Sequence, residues 1–558
     1  MIETKILSSL HRVFPENCPE KGITKISGMR NEPFSFQLAY RLKEKGLQFP
    51  LHITIETKLP LNCYAVEYVP VKHTGAKGFQ NPPAIGMYPD ILQPKGINKP
   101  MIPLVKPSRT RYAEQGEQTI LSASGDCWQA YWVTVNEKGK PIPAGTYSIT
   151  FRLFDSRDCS QVGKETLDVE IKDALLPRQT LYHTAWLYCD CIADLHNLPL
   201  YSEKFFKVLE SYLTVAARHG MNMVLTPAFT PPLDTAIGLE RMKTQLVKIE
   251  VKDGKYLFDF TLLKRFCALA LKCGFKYFEH AHFFTQWGAT SAPNIYATVN
   301  GKEKKIFGWN TPSSSKKYGK FLYEYIEALK GFMKEEKLEK RFLFHISDEP
   351  SETMIGNYRA AKAQLGNLPK DCMLGDALSN FMFYEDGSVP TPIVYTKEAP
   401  TFFGKCDNFW VYYTGLELEE TLANRNLTSP PERNRIIGIQ LYLSGAKGFA
   451  SWNYNYYYHN LSYGTFDPRF YPGGYSNYPG ISYTVYPSFN GTAMPSTRLV
   501  VTGDALNDVR ALKLLEKRKG RKVCENLIRK HFGEVTFETL PESADQFIAF
   551  REELNQLI

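Results

Sequence analysis

Two adjacent carboxylates, Asp348 and Glu349, are the residues of this sequence whose types and position most clearly suggest chemistry. They end the stretch 341–350 (RFLFHISDEP), in which an apolar run of strand length meets a proline that stops strand pairing. Catalytic groups assemble at the carboxyl ends of the strands of a (β/α) barrel, so this position fits general acid and base work. The structural alternative is an acidic cap for the helical stretch that follows, 352–365.

The adjacency of the two carboxylates narrows the reaction. Neighbouring strand residues rise by only ~3.3 Å, whereas retaining glycosidases hold their carboxyls about 5–5.5 Å apart and inverting ones about 6.5–9.5 Å apart. An adjacent pair suits a 2-acetamido sugar, whose own carbonyl oxygen attacks the anomeric carbon to form an oxazolinium ion. Asp348 would then stabilise the acetamido N–H, and Glu349 would protonate the leaving oxygen. The Asp348 charge is expected to raise the pKa of Glu349.

Several longer motifs accompany the carboxylate pair. In chain order they are LTPAFTPPLDT (225–235), FFTQWGA (283–289), HISDEP (345–350), RNRIIG (433–438), GFASWNYN (448–455) and DALNDVR (504–510). Together they resemble glycoside hydrolase family 123 over nearly the whole chain. The resemblance implies a retaining, cofactor-free exo-β-N-acetylgalactosaminidase that uses substrate-assisted catalysis, with Asp348 as stabiliser and Glu349 as acid/base. Its expected partner is an oligosaccharide or glycolipid glycan that ends in β-linked N-acetylgalactosamine.

Two other functions stay open at this point. A β-N-acetylglucosaminidase would use the same mechanism, because the two sugars differ only at the C4 hydroxyl. No residue can be named from the sequence as the one that contacts this hydroxyl. A catalytically weak carbohydrate-binding protein would keep the scaffold without turnover. The intact Asp348–Glu349 pair argues against the second alternative.

Length and composition set the general class. With 558 residues, 43% of them hydrophobic, the chain exceeds one ordinary domain. The net charge of +9 is spread along the sequence, so nucleic acid is not an expected partner. No apolar run approaches the ~20 residues of a membrane span, and the first residues lack a leader pattern, which predicts a cytoplasmic protein. The 11 cysteines are scattered without a CxxC pair, against a disulfide framework or structural zinc.

The pattern of apolar residues predicts half-buried antiparallel strands in residues 1–175, and the resemblance to family 123 implies that they form a β-sandwich. Alternating stretches typical of half-buried strands occur at 33–42, 51–57, 63–70, 127–136, 145–154 and 166–171. The region 72–111, rich in proline, glycine and lysine, is expected to form a long excursion from the sheet.

Residues 176–558 are predicted to form a TIM-like (β/α)8 barrel with C-terminal helices, because strand-like and helical runs alternate there. Eight candidate strands lie near 184–189, 222–226, 275–279, 342–347, 373–377, 393–395, 409–412 and 448–452. Helical stretches are expected at 202–219, 260–273, 318–335, 352–365 and 433–443, with short connections around strands five to seven. Helices after residue 504 are expected to close the barrel.

Aromatic residues near the last two barrel strands are candidates to stack on a pyranose ring or to enclose the acetamido methyl group. They are Trp410 and Tyr412 near strand seven, and Trp452 and Tyr454 near strand eight. Filling of the barrel interior is an equally good explanation at each position. Further substrate-binding candidates are Asp234, His282, Gln286, Trp287 and Asp376.

Two alternative uses of these residues follow from their types. Asp376 with Glu279 could supply the nucleophile of an ordinary retaining mechanism. Because His280-Ala-His282 follows a strand, it could bind a metal together with Asp376, but no further histidine and acid cluster supplies ligands, and no metal is expected. His345 is predicted to lie inside the barrel and to orient its neighbours.

Overall fold

The computed structural model describes residues 2–72, 84–95, 120–413, 422–473 and 479–558. Its N-terminal part contains two five-stranded sheets, ordered β1-β3-β8-β5-β6 and β2-β10-β9-β4-β7. The pairings are antiparallel except that between β2 and β10. The strands are β1 (Ile2–Ser8), β2 (Lys25–Met29), β3 (Phe34–Leu42), β4 (Gln48–Glu56), β5 (Leu61–Val71), β6 (Gly86–Lys95), β7 (Ile120–Ser124), β8 (Gln129–Val135), β9 (Gly145–Asp155) and β10 (Gln161–Lys172).

One apolar core lies between these two sheets. The alternation in β9 buries Ile149, Phe151 and Leu153 completely, and the Phe151 ring meets Phe36 of the other sheet at 6.0 Å between centroids. The alternating pattern therefore predicted the inward face correctly. Most of the predicted excursion, 73–83 and 96–111, lies outside the described residues, but its middle is the sheet strand β6.

Eight parallel strands of the C-terminal part form a nearly closed barrel. Their order is β11-β22-β21-β20-β19-β18-β15-β12, and a bridge between Thr184 and Met223 links its two edges. The strands that follow β10 are β11 (Tyr182–His183), β12 (Met223–Thr226), β13 (Lys248–Lys252), β14 (Lys255–Asp259), β15 (Tyr277–His280), β16 (Ile295–Val299), β17 (Lys302–Phe307), β18 (Phe342–Phe344), β19 (Met373–Leu378), β20 (Thr391–Tyr395), β21 (Trp410–Tyr413), β22 (Gly448–Ser451), β23 (Val485–Pro487) and β24 (Ala493–Pro495).

The helices of the barrel are uneven in length. They are α1 (Cys189–Leu195), α2 (Glu203–Arg218), α3 (Thr261–Cys273), α4 (Lys316–Glu335), α5 (Ile355–Ala363), α6 (Met382–Glu385), α7 (Pro431–Arg435) and α8 (Ile437–Ser444), followed by α9 (Thr497–Lys519), α10 (Arg521–Phe532) and α11 (Ala544–Leu557). Ser202 and Ser315 cap α2 and α4 by accepting backbone N–H groups. Only α6 and the 3-10 turn Ala399–Phe402 occupy the connections after β19 and β20, where short connections were expected.

One barrel strand lies earlier than predicted. The first strand pairs at 182–183 instead of 184–189, and Cys189 begins helix α1. The C-terminal helices pack on α7, α8 and strand β2, so their expected role in closing the barrel stays a prediction. No helix among the described residues has the length and apolarity that crossing a membrane requires.

Candidate active site

The acid pair lies on a segment that leaves the barrel sheet. Strand β18 ends at Phe344, yet the next residues stay tied to the loop that follows β15. The N–H groups of Phe283, Phe284 and Trp287 donate to the carbonyl oxygens of residues 345, 346 and 348 at 3.1, 2.9 and 2.8 Å. On the other side, the Glu349 N–H donates to the Ala377 carbonyl at 3.1 Å. The pair therefore has a defined position although its backbone is irregular.

Asp348 and Glu349 open into a cavity of about 310 Å³ at the ends of several barrel strands. The cavity is lined by Trp186, Asp234, Glu279, Trp287, His345, Asp348, Glu349, Ala377, Ile393, Tyr412, Ala450, Ser451 and Trp452. This lining combines aromatic and apolar walls with a few carboxylates. Such a combination is typical of sites that hold a small polar ligand in one orientation.

The two carboxylates have different surroundings. Asp348 is half-buried, and burial, followed by the charges of Glu349 and Asp234, raises its pKa well above the ordinary value. Glu349 is exposed, and its Oε1 accepts a hydrogen bond from the Tyr412 hydroxyl at 2.6 Å. The carboxyl whose pKa the surroundings raise is therefore the less exposed member of the pair, Asp348.

Three residues of the cavity wall have left-handed backbone conformations. The φ angles are 45° at Asp234, 58° at Trp287 and 44° at Glu349. Non-glycine residues rarely adopt such angles, which cost of order 1 kcal/mol or more each, and they concentrate at functional sites. Their shared location marks this cavity as the candidate active site.

A buried chain of charged groups lies behind the acid pair. The ring nitrogens of His345 lie 3.0 Å from Glu279 Oε1 and 3.1 Å from Asp376 Oδ1. Burial alone would lower the pKa of His345, but the hydrogen bonds to Asp376 and Glu279 raise it to about 10. This shift favours the imidazolium form of His345 between the two carboxylates at neutral pH.

Four of the predicted substrate-binding residues line the cavity: Asp234, Trp287, Tyr412 and Trp452. Trp186 also lines it, but this residue was not among the predicted ones, because the first strand was predicted over 184–189. With the strand at 182–183, Trp186 lies just beyond a barrel strand end. Its position three residues after this strand would have identified it as a candidate cavity residue.

Two aromatic candidates for sugar stacking, Trp410 and Tyr454, do not line this cavity. Trp410 is fully buried inside the barrel, where its ring stacks on Tyr182 with 5.0 Å between centroids. Tyr454 is also fully buried and donates its hydroxyl hydrogen to the Tyr212 carbonyl oxygen at 2.7 Å. Trp410 therefore fills the barrel interior, the alternative that the sequence left open, whereas Tyr454 packs against helix α2.

The remaining candidates stand behind the cavity wall. Gln286 accepts the Asp234 N–H and donates to the Thr235 carbonyl oxygen at 3.1 Å, so it holds the loop that carries Asp234. His282 is buried and stacks on His345 with 4.4 Å between ring centroids. Asp376 is fully buried and does not line the cavity. Each of the three contacts a residue that lines the cavity: Gln286 contacts Asp234, and His282 and Asp376 contact His345.

The histidines fit a metal ion poorly. His280 is directed elsewhere, since its ring nitrogens lie 2.5 Å from the Ala281 carbonyl oxygen and 2.8 Å from the Tyr325 hydroxyl. His282, His345 and Asp376 have ligand-type atoms within 4.8 Å of one another. However, both ring nitrogens of His345 are already engaged by carboxylates, Nδ1 by Asp376 and Nε2 by Glu279.

Together, a parallel barrel and a cavity that contains an acid pair define the class of barrel glycoside hydrolases. The sequence model for "Glycoside hydrolase 123, catalytic domain" matches residues 186–515, which span more than half of the chain. The chain belongs to glycoside hydrolase family 123.

Comparison with solved structures agrees with this family. A family 123 glycoside hydrolase from Clostridium perfringens, described with respect to glycolipid glycan hydrolysis, is 12% identical and has a TM-score of 0.71. The match covers 100% of this chain and 97% of that protein, so the two share a fold. A β-glucuronidase from Bacteroides uniformis, 8% identical, matches 82% of this chain and 47% of its own with a TM-score of only 0.27. No curated protein matches the chain.

Proposed function

We propose that this protein is a retaining exo-β-N-acetylgalactosaminidase that acts by substrate-assisted catalysis. The observation that carries the proposal is the adjacent Asp348 and Glu349 on the wall of a cavity of about 310 Å³. This volume lies at the lower end of the ~300–1,000 Å³ range of ligand pockets, which supports binding of one terminal sugar. Membership of family 123 supports glycoside hydrolysis as the reaction class.

In the proposed mechanism the substrate supplies the nucleophile. Asp348, in its ionised form, accepts the acetamido N–H, and the acetamido oxygen bonds to the anomeric carbon as the bond to the leaving oxygen breaks. Glu349 gives its proton to that oxygen. A water molecule then attacks the anomeric carbon, returns a proton to Glu349 and reopens the oxazolinium ring with net retention.

The contacts of the other carboxylates argue against a protein nucleophile. Glu279 accepts hydrogen bonds from the Thr184 hydroxyl at 2.5 Å and from Trp186 Nε1 at 2.7 Å, besides its contact with His345. Asp376 accepts from two backbone N–H groups and from the Tyr358 hydroxyl. Carboxylates held as acceptors at both oxygens are poorly prepared to attack a sugar, so the alternative with Glu279 and Asp376 loses support.

The aromatic walls have a role in this proposal. Trp186, Tyr412 and Trp452 would enclose the acetamido methyl group and the apolar face of the ring, because their rings combine apolar faces with polar edges. Asp234 would accept hydrogen bonds from sugar hydroxyls. We further propose that residues 176–558 are the catalytic domain and that residues 1–175 support it by packing. A glycolipid glycan is the proposed natural substrate, in keeping with the description of the Clostridium perfringens relative.

Aryl β-glycosides of N-acetylgalactosamine, N-acetylglucosamine and galactose test the proposal when they are compared without added metal. Release of the aryl alcohol from the first alone supports both the acetamido mechanism and the galacto preference. Equal cleavage of the galactoside would require a protein nucleophile and would overturn substrate assistance. Preference for the glucosamine derivative would leave the mechanism and change the substrate, while binding without turnover would indicate a carbohydrate-binding protein.

A further inference from the structure

We propose that Asp376 is a positioning residue for the acid pair and that His345 and Glu279 hold it in place. The inference rests on the proposed function, in which Asp348 and Glu349 carry the reaction. It assigns a task to three buried ionisable groups that the mechanism itself does not use.

The Asp376 side chain replaces a missing strand partner. Strand β18 pairs with β19 through Leu343 and Phe344, and that pairing then stops. Beyond His345, the Asp376 carboxylate accepts two consecutive N–H groups, those of Ile346 at 3.1 Å and Ser347 at 3.3 Å. Buried N–H groups without a partner are costly, so this carboxylate determines where the chain runs immediately before Asp348.

The opposite side of the same segment is also held. The Ser347 hydroxyl donates to the Thr285 carbonyl oxygen at 2.7 Å, and the loop 283–287 donates to the carbonyl oxygens of residues 345, 346 and 348. The segment is therefore clamped between a loop and one side chain. Asp376 is the part of this clamp that a single isosteric substitution can alter.

Asp376 is itself fixed by a chain that reaches the cavity wall. His345 bridges Asp376 and Glu279, and Glu279 accepts the indole N–H of Trp186 at 2.7 Å. Burial raises the pKa of Asp376, and the hydrogen bond from His345 opposes that shift and favours the carboxylate. Because Trp186 lines the cavity, the chain joins a proposed sugar-contacting wall to the segment that carries the acid pair.

The consequence is a specific kinetic pattern. Loss of the clamp would leave the sugar-binding walls in place while Asp348 and Glu349 shift relative to the sugar. Misplacement of catalytic groups by about 1 Å can cost about 10²-fold in rate. The turnover number should therefore fall far more than the Michaelis constant changes.

Asp376→Asn tests this pattern, since its amide is isosteric but presents an NH₂ group where a carboxylate oxygen accepted. We expect kcat on an aryl N-acetylgalactosaminide to fall about 10- to 100-fold, with KM within about twofold of the parent value. The matched control is Asp90→Asn, another fully buried carboxylate, which pairs with Arg498 at 2.9 Å outside the cavity. The control should lower Tm and leave kcat unchanged, and a folded Asp376→Asn protein with parental kcat would overturn the inference.

Two substitutions of His345 distinguish its hydrogen bond to Asp376 from its hydrogen bond to Glu279. Asn places a donor near the position of Nδ1 and keeps the contact with Asp376, whereas Gln places a donor near Nε2 and keeps the contact with Glu279. We expect His345→Asn to retain clearly more kcat than His345→Gln. Equal kcat in the two folded variants would contradict the transmission of the effect through Asp376, and the pair keeps the test decisive if Asp376→Asn does not fold.

Crystal structures of the parent and of Asp376→Asn make the test independent of the substrate. The expected difference is a displacement of the Asp348 and Glu349 carboxylates by about 1 Å, with the rest of the barrel unchanged. If the parent cleaves none of the glycosides, the proposed function fails, and this displacement still decides the positioning role. An unchanged segment 345–349 would overturn it.

Discussion

Asp348 and Glu349 are neighbours in sequence, but their environments differ in a way that suits the two roles proposed for them. Asp348 is half-buried among other carboxylates, whereas Glu349 is exposed and accepts the Tyr412 hydroxyl hydrogen. Carboxylates whose surroundings differ can act as acid and as electrostatic stabiliser within one site. Burial, followed by the charges of Glu349 and Asp234, raises the pKa of Asp348 and so disfavours the ionised form that the proposed mechanism uses.

Glu349→Gln should lower kcat about 10²- to 10⁴-fold, because the amide cannot give a proton to the leaving oxygen. The loss should be smaller for aryl glycosides with acidic leaving groups, which need little protonation. Rates on a series of aryl glycosides measure this dependence. The matched control is Glu352→Gln, an exposed carboxylate three residues later, which should keep parental rates. Intact turnover in Glu349→Gln would show that another group is the acid.

Asp348→Asn should lower kcat strongly with little change in KM, since its charge matters most as the oxazolinium ion forms. Steady-state kinetics on the aryl N-acetylgalactosaminide measure both constants. Full activity in this variant would exclude substrate assistance through Asp348.

The same variant should be more stable than the parent at neutral pH. A carboxyl whose pKa is raised on folding favours the folded state in its neutral form, and this contribution is lost as pH rises from the unfolded value of about 3.9 through the folded pKa. An asparagine does not ionise, so its contribution to the stability of the folded state does not fall as pH rises. The Tm difference between Asp348→Asn and parent should be near zero below pH 4 and grow to about 1–3 °C at pH 8. A difference that shrinks with rising pH would contradict the raised pKa.

At the residue scale, the sequence identified the acid pair because an apolar run and a proline marked a strand end. The sequence could not show that Tyr412 lines the cavity while Trp410 does not, since both lie on the same face of β21, two residues apart. Only the register of the barrel decides which layer of side chains reaches the cavity and which fills the interior. The Glu279–His345–Asp376 chain was equally inaccessible, because its members come from three different strand regions.

At the scale of elements, close backbone packing explains one helical glycine. A Cβ added at Gly438 of α8 would lie 2.2 Å from the Ala505 carbonyl oxygen of α9. The two helices can approach this closely only without a side chain at that position. Gly331 of α4 is exposed and has nothing within 4 Å of an added Cβ. These two glycines therefore have opposite structural roles.

Gly438→Ala should destabilise the protein by about 1–3 kcal/mol or more, because α9 must move away from α8. Gly331→Ala should stabilise it by about 0.5–1 kcal/mol through helix propensity and unfolded-state entropy. Thermal unfolding of both variants beside the parent measures the signs. Stabilisation by both alanines would show that α8 and α9 do not pack this tightly.

The elements themselves were largely predictable. The long helices α2, α3 and α4 have amphipathic patterns, and seven of the eight barrel strands overlap the predicted runs. The bounds of the first strand were predicted wrongly because only two of its residues pair and the apolar pattern continues without interruption into α1. Strand β6 was not predicted because its region is rich in proline and glycine. In the structure it forms a strand by pairing with β5.

At the scale of the whole molecule, buried ion pairs join the N-terminal sheets to the C-terminal helices. Asp90 of β6 accepts hydrogen bonds from Arg498 of α9, and Arg551 of α11 donates to Glu32 at 2.6 Å. The paired residues are 408 and 519 positions apart in the sequence. Composition and periodicity describe local structure, so no sequence pattern could indicate these contacts. They fix the outer helices of the barrel to the sheets.

A double-mutant cycle on Glu32 and Arg551 tests whether this interface stabilises the whole protein. Arg551 also donates to Asp508 at 2.6 Å, so Glu32→Gln leaves the buried guanidinium with one carboxylate partner, whereas Arg551→Met leaves Glu32 without its cation. Both variants should lower the free energy of unfolding, and Arg551→Met should cost more, up to about 3–5 kcal/mol. The double variant should lose less than the sum, because the contact between the two residues is lost only once. Urea unfolding supplies these energies, with Glu203→Gln of the exposed Glu203–Arg265 pair as the control at about 1 kcal/mol or less. Because the interface lies away from the cavity, kcat should stay parental in all folded variants. A Glu32→Gln cost no larger than that of the exposed pair would mean that the two parts of the chain are not held together by these charges.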